Sequence, residues 1–590
     1  MQVKVVRVTT LNNWSMAVNK SRYAVACLFT LLVAVELTMG QNLGPSSIAS
    51  FDERPKVVQL QDGTFVAFFV RDKKGLQEVL TKKSTDNAKT WSALEPLMQL
   101  PKDPGNWGGV EALVDHSGEI HLFFLNDAHT GVIVTGEDQR PKVGQMNQKR
   151  LDIWHTKSTN SRKNWQPPKR IWEGYTGALN SVVQLKSGRI MLPFSFLTPR
   201  KWSSRGEGLD TFTFMGQYDC TVAYSDDDGT SWKLSTPDLK IQVPDIVSAY
   251  GAVEPVVLEL KDGRVWMLIR TQMGRFYQSF SPDGGTWSNP EPSALISSDS
   301  PAGLARTTDG RIVVFWNNCL RFPYAYGGRH VLHAAISSDE GKSWRGYREV
   351  ARDPFNNQPP PPTGDHGTAY PFPVATKDGK VLFATGQGEG RAIVKLLDPE
   401  WLYQTRQQSD LTGRGLADWS TFGTRGVELV ADPENPAKRL LRMRKETEDW
   451  PAAAVWNFPA GENGRLRIRL KIEKGFAGAF LSLTDHFSVP FDGEDYFHNL
   501  YNLRVGGSGE LPGGARLQVG QWQDLEIDWD VNQREARVKV EGKVATVIKQ
   551  QRDTIGASYL RVKSLSKGGE TGGLLIESVD VDSRMSDDSR

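Results

Sequence analysis

Six segments of the chain, residues 54–71, 110–126, 180–196, 254–271, 302–318 and 370–386, share one hydropathy pattern. Each has a short apolar run, a polar turn containing glycine, and a second apolar run rich in Val, Ile, Leu and Phe. The turn glycines are Gly63, Gly118, Gly188, Gly263, Gly310 and Gly379, and 316 residues over five intervals give a mean spacing of about 63. Short apolar runs joined through Asp-Gly or Ser-Gly predict β-hairpins, because glycine accepts the positive φ such turns need. A strand-only unit repeated at this period predicts propeller blades or a similar array.

A second repeat is interleaved with the first. Ser84–Trp91, Ser225–Trp232 and Ser337–Trp344 all read S-x-D-x-[GA]-x-[TS]-W. Ser281–Trp287 is one residue shorter, and Ser158–Trp165 is a worn copy with Asn160 in place of Asp. An Asp here can hold the N–H groups of its own turn, and the Trp can pack between sheets, so these turns read as structural staples. Five copies in phase with six hairpins resemble the Asp-box (BNR) repeat of the sialidase, or neuraminidase, superfamily. The resemblance covers roughly residues 50–400 and implies an all-β fold that begins with a six-bladed β-propeller.

After Trp401 the repeat stops. Residues 402–415 read as a polar linker. From 416 to 583 the chain alternates again, as in GRLRIRLKIEK and WQDLEIDWDV, which predicts antiparallel strands with one wet face. We expect a jelly-roll or concanavalin-like β-sandwich, with the aromatic stretch 485–497 serving either sugar or inter-domain packing, and a disordered tail at 584–590.

At 590 residues the chain is too long for one core. Tyr23–Val35 is apolar but shorter than the roughly 20 residues of a membrane-spanning helix. Lys20 and Arg22 precede it and Thr38-Met39-Gly40 follows, so residues 1–40 predict a secretory signal, with Met16 the tidier start, and a secreted or periplasmic destination for the propeller region 41–401. The leader carries four basic residues and one acidic; setting these aside from the 71 and 69 of the whole chain leaves 67 and 68, a formal charge of −1. A neutral body has no general field for nucleic acid or an anionic membrane. Past the leader only Cys220 and Cys319 remain, too few for a disulfide framework. The nine histidines show no zinc spacing, and Asp226–Gly229 lacks the Glu of a calcium loop and reads as a turn, so no metal or cofactor is expected. Gly386–Gly390 follows a strand without a helix after it and reads as a turn, and Pro359–Pro362 reads as a stiff connector.

The register of the hairpins singles out candidate site residues. Nine positions before the turn glycine stand Arg54, Glu254 and Tyr370, each followed by Pro. Arg71, Arg270 and Asn317 end the second runs, and Glu111, Asn126 and Asp127 fall near the same rim. Guanidinium groups bind carboxylates bidentately, and an acidic sugar such as sialic acid carries its carboxylate on the anomeric carbon. A carboxylate nucleophile would be repelled there, whereas tyrosine would not, provided that a base takes its proton. The resemblance implies Tyr370 as nucleophile, Glu254 as its base, and Arg270, Arg329, Arg54 and Arg71 as substrate contacts, with Asn317 and Glu111 on the same ring. The reaction implied is hydrolysis of terminal α-sialosides with retention, acting on sialylated or other acidic glycans.

The sequence also departs from that family. Pro55 follows Arg54 directly, where the family has Arg-Ile-Pro. Asp72 is the nearest candidate for the general acid, with Glu78 and Asp127 behind it. Thr385-Gly386-Gln387 stands where a supporting Glu is expected. A glycosidase or lyase for another acidic sugar, such as a uronate, and a non-catalytic glycan-binding propeller are the competing readings. His366, Trp107 and Trp202 serve a pocket or plain packing equally well.

Overall fold

A computed structural model describes residues 44–49, 51–73, 76–102, 105–127, 151–198, 217–242, 251–320, 328–358, 365–421, 425–449, 451–490 and 494–586. The leader, Trp202, Pro359–Pro362 and the last four residues of the tail lie outside them. Each of the six hairpins becomes the inner pair of a β-sheet. The blades are built on Lys56–Gln59, Asn106–Val114, Val183–Gln184, Val253–Glu259, Gly303–Arg306 and Phe372–Ala375 as innermost strands. Five blades run outward in chain order. In the sixth, the outer strand Ser46–Ala49 comes from the start of the described chain and pairs with Ile393–Leu397, tying the first segment of the propeller to its last.

The turns close as the sequence suggests. All six turn glycines have φ between 83° and 92°. Each donates its N–H to the residue three before it, at 2.8–3.0 Å. The Asp-box turns are staples in fact: Asp227 accepts from Ser231 N at 2.8 Å and from Ser225 Oγ at 2.8 Å, and Asp86 accepts from Thr90 N at 2.9 Å. In the worn copy Glu119, from the hairpin turn of the same blade, takes the missing role, accepting from Ser161 N at 2.8 Å and Arg162 N at 3.1 Å. The box tryptophans lie between sheets, Trp232 edge-on to Phe123 and Trp344 against Trp266.

The C-terminal region is a two-sheet sandwich. One sheet runs Val427–Ala431, Arg439–Met443, Leu574–Arg584, Asn463–Ile472, Trp522–Asp530, Glu535–Val540 and Lys543–Lys549. The other runs Trp419–Ser420, Ala453–Gly461, Ala557–Ser564, Gly478–Thr484 and Tyr501–Gly506. Leu466, Ile468 and Leu470 point into the core with Trp456, Phe458 and Trp529. Their neighbours Arg465, Arg467 and Arg469 face solvent and pair across strands with Asp528, Glu526 and Asp524. The segment read as a linker is not free chain: Arg406–Gln408 forms a strand against Asp580–Asp582. Polarity hid this, because an edge strand with an exposed face carries no apolar run.

Residues from Pro45 onward form one compact unit. The outer strand of blade 5, Arg345–Arg352, packs on Ala453–Gly461, where Asn457 donates to Tyr347 O at 3.1 Å and Tyr559 Oη donates to Glu349 Oε1 at 2.6 Å. Cys220 and Cys319 are both buried free thiols. Among the described residues no helix is long and apolar enough to cross a membrane.

Candidate functional site

Two of the residues picked out by the hairpin register have an unusual backbone. Glu254 has φ 46° and Tyr370 has φ 61°, and each precedes a proline. Positive φ is costly for side chains with a Cβ, and the helical regions are disfavoured before proline, so both positions hold strain, which collects at functional sites. In blade 2 the matching position is Gly109, φ 55°, which takes this conformation freely. The left-handed residue breaks the strand pairing, as the register shift between Val253 and Val256 shows, and turns the side chain out of the ladder.

The strained pair meets across the propeller. Tyr370 Oη donates to Glu254 Oε1 at 3.0 Å, although 116 residues separate them. Arg270 Nη1 donates to Tyr370 Oη at 3.1 Å and also to Glu254 Oε2. Ala178 N donates to the same Glu254 Oε1 at 3.2 Å, and Glu254 N donates to Ser195 Oγ at 3.1 Å. Tyr370, Glu254 and Arg270 are 8%, 5% and 4% exposed, so the three bond one another out of bulk water. Burial is the main force that pushes the Tyr370 phenol up to about 12; Glu254 adds to it, while Arg270 and Arg329 oppose it. At rest the phenol is protonated, and its hydrogen bond points at the carboxylate.

Two further arginines flank the ring. Arg329 Cζ lies 5.7 Å and Arg54 Cζ 5.2 Å from the centroid of Tyr370. Arg54 donates to Ala369 O and Tyr370 O, both at 3.3 Å, so the shortened Arg-Pro motif still brings its head to the tyrosine. Burial brings its pKa down to about 10, against the pull of Tyr370, Glu254 and Glu111, and leaves it a cation at neutral pH. Burial and Arg270 work against the Arg329 cation, but Tyr370, Asp365 and Asp299 prevail and its pKa is raised.

Asp299 is a central residue that sequence reasoning missed. Its Oδ1 lies 2.7 Å from both Arg270 Nε and Nη2, a fork held by one oxygen, while Oδ2 accepts from Gln272 Nε2 at 3.0 Å. Its carbonyl accepts from Arg329 Nη2 at 2.7 Å. Where a supporting Glu was expected, Gln387 Oε1 accepts from Arg329 Nη1 at 2.9 Å. The arginines thus keep their supports by a different set of side chains.

The remaining candidates stand apart from this cluster. Arg71 donates to Glu78 at 2.8 Å along blade 1. Asp72 Oδ2 accepts from Trp107 N at 2.9 Å and Gln77 Nε2 at 3.2 Å. Trp107 itself is packing: it is 4% exposed and edge-on to Phe124 and Trp154. Glu111 is buried in an ion pair with Lys56, and burial outweighs that lysine in raising its pKa. Asn317 is buried and braces loops, accepting from Ser300 Oγ at 2.7 Å and donating to Thr368 Oγ1 at 3.1 Å. Asn126 is fully buried, Asp127 half-buried at the rim, and His366 half-buried near Asp365. A cavity of about 220 Å³ opens beside Arg54, walled by Lys56, Phe69, Gly109, Leu125, Asn180 and Phe372. Among the described residues one acidic-and-histidine group has metal-like spacing, Asp115, His121 and Asp228; the Lys157 ammonium already bonds Asp228 and lies 3.7 Å from Asp115, so the cation place there is filled.

A family described as BNR repeat-like domain matches residues 106–383. No curated protein matches the chain. Among solved structures, a Trypanosoma rangeli sialidase in complex with 2,3-difluorosialic acid, titled a covalent intermediate, is 14% identical, with 90% of this chain and 91% of that one covered and a TM-score of 0.40. A protein of unknown function from Dyadobacter fermentans is 17% identical, over 60% of this chain and 98% of that one, with a TM-score of 0.43. A Hadza microbial sialidase is 15% identical, over 59% and 66%, with a TM-score of 0.43.

Proposed function

We propose that this chain, whose residues 106–383 match the BNR repeat-like domain, is a secreted exo-α-sialidase that removes terminal α-linked sialic acids with retention. The observation that carries the reading is the buried Tyr370–Glu254–Arg270 triangle, with Oη 3.0 Å from the carboxylate and 3.1 Å from the guanidinium. A phenol aimed at a carboxylate has a base within reach. The adjoining cations, Arg270, Arg329 and Arg54, suit a substrate carboxylate beside the reacting carbon.

In this reading the sugar carboxylate settles among the three arginines, which sets the anomeric carbon over Tyr370. Oη attacks that carbon as its proton passes to Glu254, and the glycosidic C–O bond breaks. The leaving oxygen takes a proton from Asp72, both of whose donors occupy Oδ2. Water then attacks the tyrosyl-bound sugar from the face the leaving group vacated, giving its proton back to Asp72. Oη departs and recovers its proton from Glu254. Two inversions give net retention, among the exceptions to two-carboxylate glycosidases. Arg71, paired with Glu78, is the further substrate contact in this reading, and Glu111, buried with Lys56, supports the Arg54 cation.

The test uses a fluorogenic α-sialoside and 2,3-difluorosialic acid. The wild type should release the aglycone and then carry the fluorinated sugar on the peptide containing Tyr370, read by mass spectrometry. Tyr370→Phe should do neither. An adduct elsewhere, or full hydrolysis by the Phe variant, would remove the assignment. Release from a uronide but not a sialoside would move the substrate to the other acidic-sugar class.

A further inference from the structure

The segment Asn317–Cys319 has the site on one side and the sandwich on the other. Toward the site, Asn317 Nδ2 donates to Thr368 Oγ1 at 3.1 Å, and Thr368 N donates to Arg329 O at 2.7 Å, two residues before Tyr370. Asn317 Oδ1 accepts from Ser300 Oγ at 2.7 Å, and Asn317 O accepts from Ser298 N at 3.2 Å, so the same residue brackets Asp299. Toward the sandwich, Asn318 Nδ2 donates to Asp485 O at 2.8 Å and Asn318 O accepts from Phe487 N at 2.7 Å. Cys319 pairs with Phe487 as an isolated parallel bridge. Cys319, Val331, Val455, Phe487, Val489 and Tyr559 form one buried apolar cluster across the two regions.

The sandwich side is itself firmly held. Asp485 binds Arg552 through Nη1 at 2.9 Å and accepts from Thr554 Oγ1 at 2.7 Å. On the propeller side Asn318 N donates to His333 Nδ1 at 3.2 Å, which fixes the imidazole proton on Nε2, facing Tyr559 Oη; that hydroxyl in turn donates to Glu349. The links made by Asn317, Asn318 and His333 side chains are buried, and buried hydrogen bonds hold geometry because breaking one strands a partner away from water.

We propose that the sandwich is a working part of the active site: its segment Asp485–Phe487 acts through Asn318, a positioning residue, to hold the two turns that carry Asp299 and Tyr370. The inference rests on the sialidase reading for its kinetic consequence but not for its structural one. Asn318 touches none of the residues assigned to chemistry, so any effect it has on them must pass through Asn317.

The experiment is hydrogen–deuterium exchange on the full chain, comparing wild type, Asn318→Ala and Leu525→Ala, the last a core truncation in the far sheet of the sandwich. Asn318→Ala should speed exchange at the peptides covering 298–300 and 368–370 roughly 10-fold, although neither segment contacts Asn318 through its side chain. Leu525→Ala should leave those peptides unchanged while loosening its own sheet. On a sialoside, Asn318→Ala should lower kcat roughly 10-fold with KM nearly constant, as misplacement of reacting groups does. Unchanged exchange at 368–370, or equal acceleration in Leu525→Ala, would overturn the proposal. If no sialoside is cleaved by the wild type, the functional reading fails and the exchange result still decides this one. Should Asn318→Ala not fold, Phe487→Leu keeps the backbone bond while trimming the packing and must show the same pattern at reduced size.

Discussion

Replacing Glu254 with Gln isolates the proton transfer on which the tyrosine reading depends. The variant should fold, because Arg270 keeps Asp299 at 2.7 Å and the amide keeps the shape of the carboxylate. In the wild type the phenol sits near pKa 12, against about 10 when free, so ionising it at rest costs about 3 kcal/mol more than for a free tyrosine. At pH 7 about one phenol in 10⁵ is ionised unaided, which makes a base necessary. Losing it should lower kcat/KM on a fluorogenic α-sialoside by about 10² to 10⁴ at pH 7. The pH dependence carries the sharper test. Glu254 is one of the two forces that raise the phenol, after burial, while Arg270 and Arg329 lower it. Removing the carboxylate therefore brings the phenol below 12, and the variant must wait for solvent to ionise it. Its rate should rise with pH, so the ratio of wild type to variant should shrink about tenfold per pH unit between 7 and 9. Taking the ratio cancels any acid group that both proteins share. A loss under tenfold, or a ratio constant across that range, would refute the assignment of Glu254 as base.

Two other outcomes follow from the geometry. In kcat/KM, which reports only formation of the tyrosyl-bound sugar, Asp72→Asn should cost little on an aryl sialoside, whose leaving group needs no proton, and about 10² or more on a natural glycoside; equal losses of kcat/KM on both would take Asp72 out of the acid role. The Asp-box turns predict an acid-sensitive contribution to stability. Donors from Ser231, its side chain foremost, hold Asp227 down to about 2, so its contribution is present above the usual carboxylate range and lost as pH falls toward 2. Asp227→Ala should therefore melt below the wild type at pH 7 and alongside it at pH 2 in scanning calorimetry, and a gap that persists at pH 2 would be the contrary result.

Much of the fold is readable because local chemistry decides it. Each hairpin is set by a glycine at positive φ and by alternation within a few residues, and the Asp-box bonds span at most four residues. The worn box shows the limit: Glu119 supplies its carboxylate from 42 residues away, and nothing within Ser158–Trp165 announces it. The sandwich strands were legible by alternation, but Arg406–Gln408 is an edge strand whose polar face resembles a linker.

The site was legible where the repeat supplied a register. Glu254 and Tyr370 occupy one position in two copies of one unit, so a rotation about the hub brings them together, and Arg270 follows from the same hairpin as Glu254. The register could not foretell that this position is left-handed, since the proline after each residue argues for extended backbone. Asp299 was out of reach for a different reason. It lies on a connection between blades, Ser297–Ser300, whose serines give no periodic signal, and its carboxylate meets Arg270 only through the packing of one blade against the next. The missing Glu near Gln387 therefore does not count against the arginine cluster. What an arginine beside a substrate needs is an acceptor held in place, and Asp299 with Gln387 provides it from loops that the repeat does not govern. A search for the family's own residues at the family's own positions tests ancestry, whereas the chemistry asks only for oxygens at about 2.7–3.0 Å from the guanidinium. The bonds to Asp299 and Gln387 fall in that range.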